Sequence, residues 1–204
     1  MSAWDMNRRF ALEKIAAGAL LASAGIVLSA CQPGKPQFRG IDITGVDYAQ
    51  NLRATDFNGQ PRTLADFRGK VVVIFFGYTQ CPDVCPTTLS MLAEAFRQLQ
   101  PAEQPRVLFI SVDPQRDTLE LLKAYVPNFN PAFGFATGPD EALAPLVKHF
   151  GVMYQRHEKS ANGFYTVDHT ASLFLLDGKA RLKAVFAAPH AAATFVPEYR
   201  RLMR

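Results

Sequence analysis

The chain has 204 residues, of which 49% are hydrophobic, 20% charged and 11% aromatic. That balance suits one globular domain with a sizeable core and excludes fibrous, low-complexity and disordered classes. Lys and Arg number 22 against 18 Asp and Glu, a net charge of +4 that is too small and too scattered to indicate nucleic acid as a partner.

In chain order, the first feature is a basic head, Arg8, Arg9 and Lys14, ahead of a nearly uncharged run from Ile15 to Ala30. The run is about 16 residues, short of the roughly 20 that span a bilayer, and a basic head before an apolar run is the order of a secretory signal. It ends Leu28-Ser29-Ala30-Cys31, which resembles a bacterial lipoprotein processing site. The resemblance implies cleavage before Cys31 and lipid on both its sulfur and its freed amino group. The alternative is an uncleaved anchor helix with a buried cysteine at its end. Either form tethers the remainder outside the cytoplasm, on a membrane of the bacterial cell envelope, facing the periplasm or the exterior. Arg8-Arg9 does not settle the export route. Cleavage leaves a net charge of +3, which points to no special partner. Residues 1–30 are thus expected as a signal peptide, 31–45 as a Pro/Gly-containing tether and 46–204 as the folded domain.

Val71 to Phe76 is a continuous β-branched and aromatic run, expected as a strand buried on both faces. From Pro86 to Leu99 the spacing of Leu89, Leu92, Ala93, Phe96 and Leu99 predicts a helix. Arg106 to Val112 reads as a second buried strand. A capping-box pattern at Asp117-Thr-Leu-Glu120 predicts a helix running to about Tyr125. A short strand at Phe135–Thr137 and a helix from Asp140 to Phe150, ended by Gly151, follow. Strands at Ala171–Leu176 and Ala180–Phe186 are joined by Asp177-Gly178-Lys179, where Asp-Gly signals a hairpin turn. A last helix, Ala191 to Met203, contains Pro197. The order, a βαβ half and then a ββα half, predicts an α/β thioredoxin-like fold with added N-terminal strands and a central insertion.

Directly after the first buried strand stands Gly77-Tyr78-Thr79-Gln80-Cys81-Pro82-Asp83-Val84-Cys85-Pro86. Ligand sites of open α/β sheets collect where strands end, and a helix N-terminus favours thiolate over thiol. Thiols at i and i+4 on a helical turn are separated by about 6 Å of rise, within reach of a disulfide. The pair can therefore close into a disulfide or, reduced, chelate a soft ion such as Cu(I) or zinc. A purely structural disulfide is the competing reading, although a bridge across so few residues restrains little chain. Of the four histidines, only His169 is carried toward the thiols by the fold. It precedes a strand that pairs antiparallel with the cysteine strand, so its end abuts theirs. His149, His157 and His190 read as surface or packed residues. Met91 and Met153 read as packing.

The stretch Leu64 to Leu89, with Asp66-Phe-Arg-Gly-Lys70 and the Cys-Pro-Asp-Val-Cys-Pro core, resembles the Sco (SenC) family. So do Ser111-Val-Asp-Pro-Gln-Arg-Asp117 and Val167-Asp-His-Thr170. The resemblance implies a membrane-tethered copper metallochaperone of thioredoxin fold that loads the binuclear copper centre of cytochrome c oxidase. Its metal ligands fall on Cys81, Cys85 and His169, with Cu(I), and Cu(II) given further donors, as cargo. Gln80 departs from the more frequent His or Ser. Asp83 is expected to orient a ligand or meet a partner's charge, or else to be a solvated loop carboxylate; Asp168 could fix the His169 ring but reads better as a turn cap. Asp113, Arg116 and Asp117 read as turn and cap residues. The expected partners are the oxidase's copper-bearing subunit, a periplasmic thiol reductant and another copper carrier, with the chain itself monomeric.

The rival reading is a thiol-disulfide oxidoreductase. Against it, such reductases usually place two residues between the thiols and a proline where this chain has His169-Thr170. The peroxidase pattern Pro-x-x-x-Thr-x-x-Cys is absent.

Overall fold

The computed structural model describes residues 41–42, 53–56 and 58–203. The expected signal peptide, Cys31 and the tether apart from residues 41–42 lie outside the described residues. Three short strands come first: β1 (Ile41–Asp42), β2 (Arg53–Asp56) and β3 (Pro61–Thr63). Then follow β4 (Val72–Gly77), α1 (Val84–Gln98), β5 (Arg106–Ser111), α2 (Leu119–Tyr125), β6 (Gly134–Thr137) and α3 (Asp140–His149). The chain continues through β7 (Tyr154–Arg156), β8 (Val167–His169), β9 (Leu173–Leu176), β10 (Leu182–Phe186) and α4 (Ala192–Leu202).

Eight strands form one mixed sheet in the order β1-β10-β9-β4-β5-β6-β2-β3. The apolar run of β4 sits at its centre, with every residue buried. β5 lies parallel to β4, setting Phe75 opposite Phe109 and Gly77 opposite Ser111, while β9 runs antiparallel on the other side. Side chains alternate along β4, as a pleated strand requires. Phe76 faces Phe150 at 5.4 Å and Phe174 at 5.7 Å between ring centroids. Phe75 points the other way, toward Phe109 at 5.9 Å. On this second face lies α1, whose buried residues include Cys85, Leu89, Leu92 and Phe96. The expected N-terminal strands are present as β2–β3 beyond β6, whereas β1, paired with β10 at the other edge, falls within the stretch expected as tether, because its backbone is taken up by that sheet edge. The expected insertion is the separate β7–β8 hairpin.

Two local expectations need correction. The cap of α2 is Thr118, whose hydroxyl accepts from Leu121 N at 3.2 Å, because the Asp117 carboxylate is drawn into the core instead. The turn before β10 is longer than Asp-Gly alone. Asp177 Oδ1 accepts from Lys179 N at 2.8 Å and Arg181 N at 3.0 Å, and the left-handed position is Ala180 at φ 61°. Among the described residues no helix is long and apolar enough to cross a membrane.

Candidate metal centre

β4 delivers the chain to the carboxyl end of the sheet, and α1 departs from it. Cys81 lies in the connecting turn, where its N–H donates to Tyr78 O at 3.3 Å. Cys85 lies in the first turn of α1, fully buried, and its N–H donates to Cys81 Sγ at 3.4 Å. The Cys81 sulfur therefore occupies the position in which a capping oxygen would satisfy an orphan amide of the helix. Pro86, the third helical residue, costs no hydrogen bond there because that amide has no intrahelical acceptor. Gly77 makes room for the second sulfur. A Cβ at this position would lie 2.9 Å from Cys85 Sγ and 2.7 Å from Phe109 Cε2.

The third group arrives from the insertion. β8 pairs antiparallel with β7, setting His169 opposite Tyr154, and the chain then turns into β9 beside β4. His169 Nε2 stands 3.3 Å from Cys85 Sγ. Its ring meets Tyr78 edge-on at 5.8 Å and Phe75 at 6.2 Å, and Nδ1 lies 3.2 Å from Thr170 O. Cys81, Cys85 and His169 each offer one donor atom, all within 4.8 Å of one another. Two thiolates and an imidazole form a soft donor set suited to Cu(I) or zinc.

The two sulfurs differ electrostatically. A hydrogen bond from Cys85 holds the Cys81 thiol down to about 4, against the opposing effect of burial. Burial pushes the Cys85 thiol well above its ordinary range. With the proton resting on Cys85, Cys81 carries the thiolate, and the helix N-terminus supports that charge.

Beneath the site lies a polar layer whose side chains the sequence reading did not place. Asp117, 1% exposed, accepts from Thr79 Oγ1 at 2.6 Å, Thr79 N at 3.1 Å and Ser111 Oγ at 2.6 Å, which fixes the turn leading to Cys81. Asp113, 0% exposed, takes the Tyr165 hydroxyl at 2.8 Å and a charged hydrogen bond from Arg116. The turn expected at 113–117 is present in the main chain, with Asp113 O accepting from Arg116 N and Asp117 N. The carboxylates, however, are buried network members rather than exposed caps. Five polar residues in the heptapeptide Ser111–Asp117, next to a strand end, were the available signal.

Asp83 is exposed at the N-cap of α1, where its carboxylate accepts from Thr87 Oγ1 at 3.3 Å, while its backbone N–H supports the Cys81 thiolate. Asp168 does not orient His169. Strand alternation turns it outward, 76% exposed, where it pairs with His157 Nε2 at 2.9 Å. His190 donates from Nε2 to Ala171 O at 2.8 Å, and burial lowers its pKa below the ordinary histidine value. Met91 is packed as expected, but Met153 is 79% exposed and is not a packing residue. A groove of about 630 Å³ lined by Lys70, Arg106, Lys123 and Phe133 lies at the amino ends of β4 and β5, at the far end of these strands from the cysteines.

The chain matches the SCO1/SenC family model over residues 43–204. It is 36% identical over 153 residues to the mitochondrial SCO2 homolog of Bos taurus, a match covering 72% of this chain and 57% of that protein. The matches to the mammalian SCO2 homologs thus span about half the length of those proteins. Among solved structures, the apo Sco1 protein of Thermus thermophilus is 36% identical at TM-score 0.72, covering 82% of this chain and 98% of that one. Bradyrhizobium japonicum ScoI with copper bound is 33% identical at TM-score 0.66, covering 76% and 99% respectively. The fold is that of the thioredoxin-like Sco1 structures, and the chain belongs to the SCO1/SenC family.

Proposed function

We propose that this SCO1/SenC protein is an extracytoplasmic copper metallochaperone, held to a membrane through lipid on Cys31, that supplies the binuclear copper centre of cytochrome c oxidase. The convergence of Cys81 Sγ, Cys85 Sγ and His169 Nε2 within 4.8 Å carries this reading. The copper-bound Bradyrhizobium relative supports copper as the cargo. Three donors suit Cu(I) and leave an open side from which an incoming thiolate can take the ion. Cu(II) would require further nitrogen or oxygen donors. Loading displaces the proton from Cys85, so copper uptake releases a proton. Oxidation of both thiolates to the Cys81–Cys85 disulfide passes two electrons to an oxidant, removes both sulfur donors and expels the metal. A thiol reductant must then return the pair to the dithiol.

The decisive experiment is anaerobic titration of the reduced full chain with Cu(I), with thiols counted before and after. One equivalent bound by the dithiol and none by the disulfide form is the expected result; no binding by the dithiol rejects the reading.

A second reading, reduction of a partner's disulfide, is favoured by the unequal thiols. Cys81 thiolate would attack the partner disulfide and displace one thiolate. Cys85 would then attack the Cys81 sulfur, leaving the partner reduced and this chain as the disulfide. Turnover of a model disulfide by the His169→Ala variant at the parent rate, with copper affinity also unchanged, would favour it.

A further inference from the structure

Arg116 joins the two halves of the metal centre. Its Nη1 donates to Gln80 Oε1 at 3.0 Å, next to Cys81, and to Tyr165 O at 2.8 Å, on the approach to β8. Its Nε is hydrogen-bonded to Asp113. The guanidinium carbon lies 3.5 Å from the Tyr165 ring centroid and 5.7 Å from that of Tyr78. Asp113 accepts from the hydroxyl of the same Tyr165 at 2.8 Å. Two residues on, Val167 N donates to Tyr78 OH at 3.2 Å. Tyr165, Val167 and His169 alternate along the chain, and the first two are fastened to the cysteine side of the molecule.

The hairpin has need of such fastening. β7 and β8 are three residues each and form a two-stranded sheet apart from the main one. An isolated two-stranded hairpin is marginally stable at best. Side-chain anchoring supplies the missing stability, and a guanidinium suits it: one planar group can donate in several directions while stacking on an aromatic face. A lysine ammonium cannot do both.

We propose that Arg116 is a positioning residue for His169, clamping the β7–β8 hairpin to the cysteine turn and so keeping the imidazole at ligand distance from the sulfurs. Its consequence for copper rests on the metallochaperone reading, whereas the clamp itself is a property of the metal-free protein.

Two measurements on the detergent-solubilised full chain test it. In the reduced metal-free protein, nuclear Overhauser contacts from the His169 ring to the Phe75 and Tyr78 rings are expected in the parent. They should be lost in Arg116→Met and weakened in Arg116→Lys; their persistence in Arg116→Met overturns the proposal. In Cu(I) competition, Arg116→Met should weaken binding about tenfold, the scale of losing a residue that orients a ligand. The same substitution in a His169→Ala background should cost nothing further, and an equal loss in both backgrounds overturns the proposal. Should the parent bind no Cu(I), the metallochaperone reading fails while the proton contacts still decide the clamp. If Arg116→Met does not fold, Tyr165→Phe removes only the hydroxyl bond to Asp113. It should shift both readouts in the same direction, and no shift in either overturns the proposal.

Discussion

Cys85 Sγ and His169 Nε2 stand 3.3 Å apart although 84 positions separate them in the chain. The sulfur comes from the first turn of α1 and the imidazole from the end of a hairpin outside the main sheet. Neither position implies the other locally.

His169→Ala should weaken Cu(I) retention by at least about tenfold, since a lost ligand costs no less than a lost ligand-orienting contact. The Cys81–Cys85 disulfide should still form, because the sulfurs are set by α1 and its preceding turn. Chelator competition and a thiol count check the two halves of this expectation separately.

Cys81 should be the reactive thiol. With its pKa held down to about 4, it is thiolate throughout the neutral range, while buried Cys85 stays protonated. Iodoacetamide should modify Cys81 first, at a rate nearly flat between about pH 6 and pH 8. Peptide mapping with a pH series measures this. A rate rising tenfold per pH unit across that range would assign an ordinary thiol.

Gly77→Ala should damage the site through packing alone. The new methyl would press on Cys85 Sγ at 2.9 Å and on the Phe109 ring at 2.7 Å, in a strand with no room to shift. Overpacking of this kind costs about 1–3 kcal/mol. Urea unfolding should show that loss, and Cu(I) affinity should fall with it because one donor is displaced.

His190 should give the fold an acid limit. Burial depresses its folded-state pKa below 6.5, so its contribution to stability is complete above 6.5 and is lost as pH falls through the folded value. Melting temperature should drop on acidification below about pH 6.5. In His190→Gln, which keeps a donor toward Ala171 O, that part of the pH dependence should flatten.

Much of the fold was legible because local chemistry fixed it. The run Val72–Gly77 reads as a buried strand from composition alone, and α1 reads from its apolar spacing. The placement of His169 was legible too, since β9 must pair with β4 to close the sheet. The β7–β8 hairpin was not, because three-residue strands carry almost no periodic signal. Nor were the destinations of Asp117 and Asp168. Both are acidic residues beside turns, yet one is buried under Thr79 and Ser111 while the other faces outward to His157.

By itself the sequence determined the candidate donor set and the scaffold: two thiols at a strand-to-helix junction, one histidine ahead of a pairing strand, and an apolar order that specifies the sheet. Tertiary structure alone decided which thiol is charged, which carboxylates are buried and what holds the histidine in place. The physical reason is that residue type and spacing set what a chain segment can form. Burial and through-space partners set the charge and orientation of each side chain, and those exist only once distant segments have met.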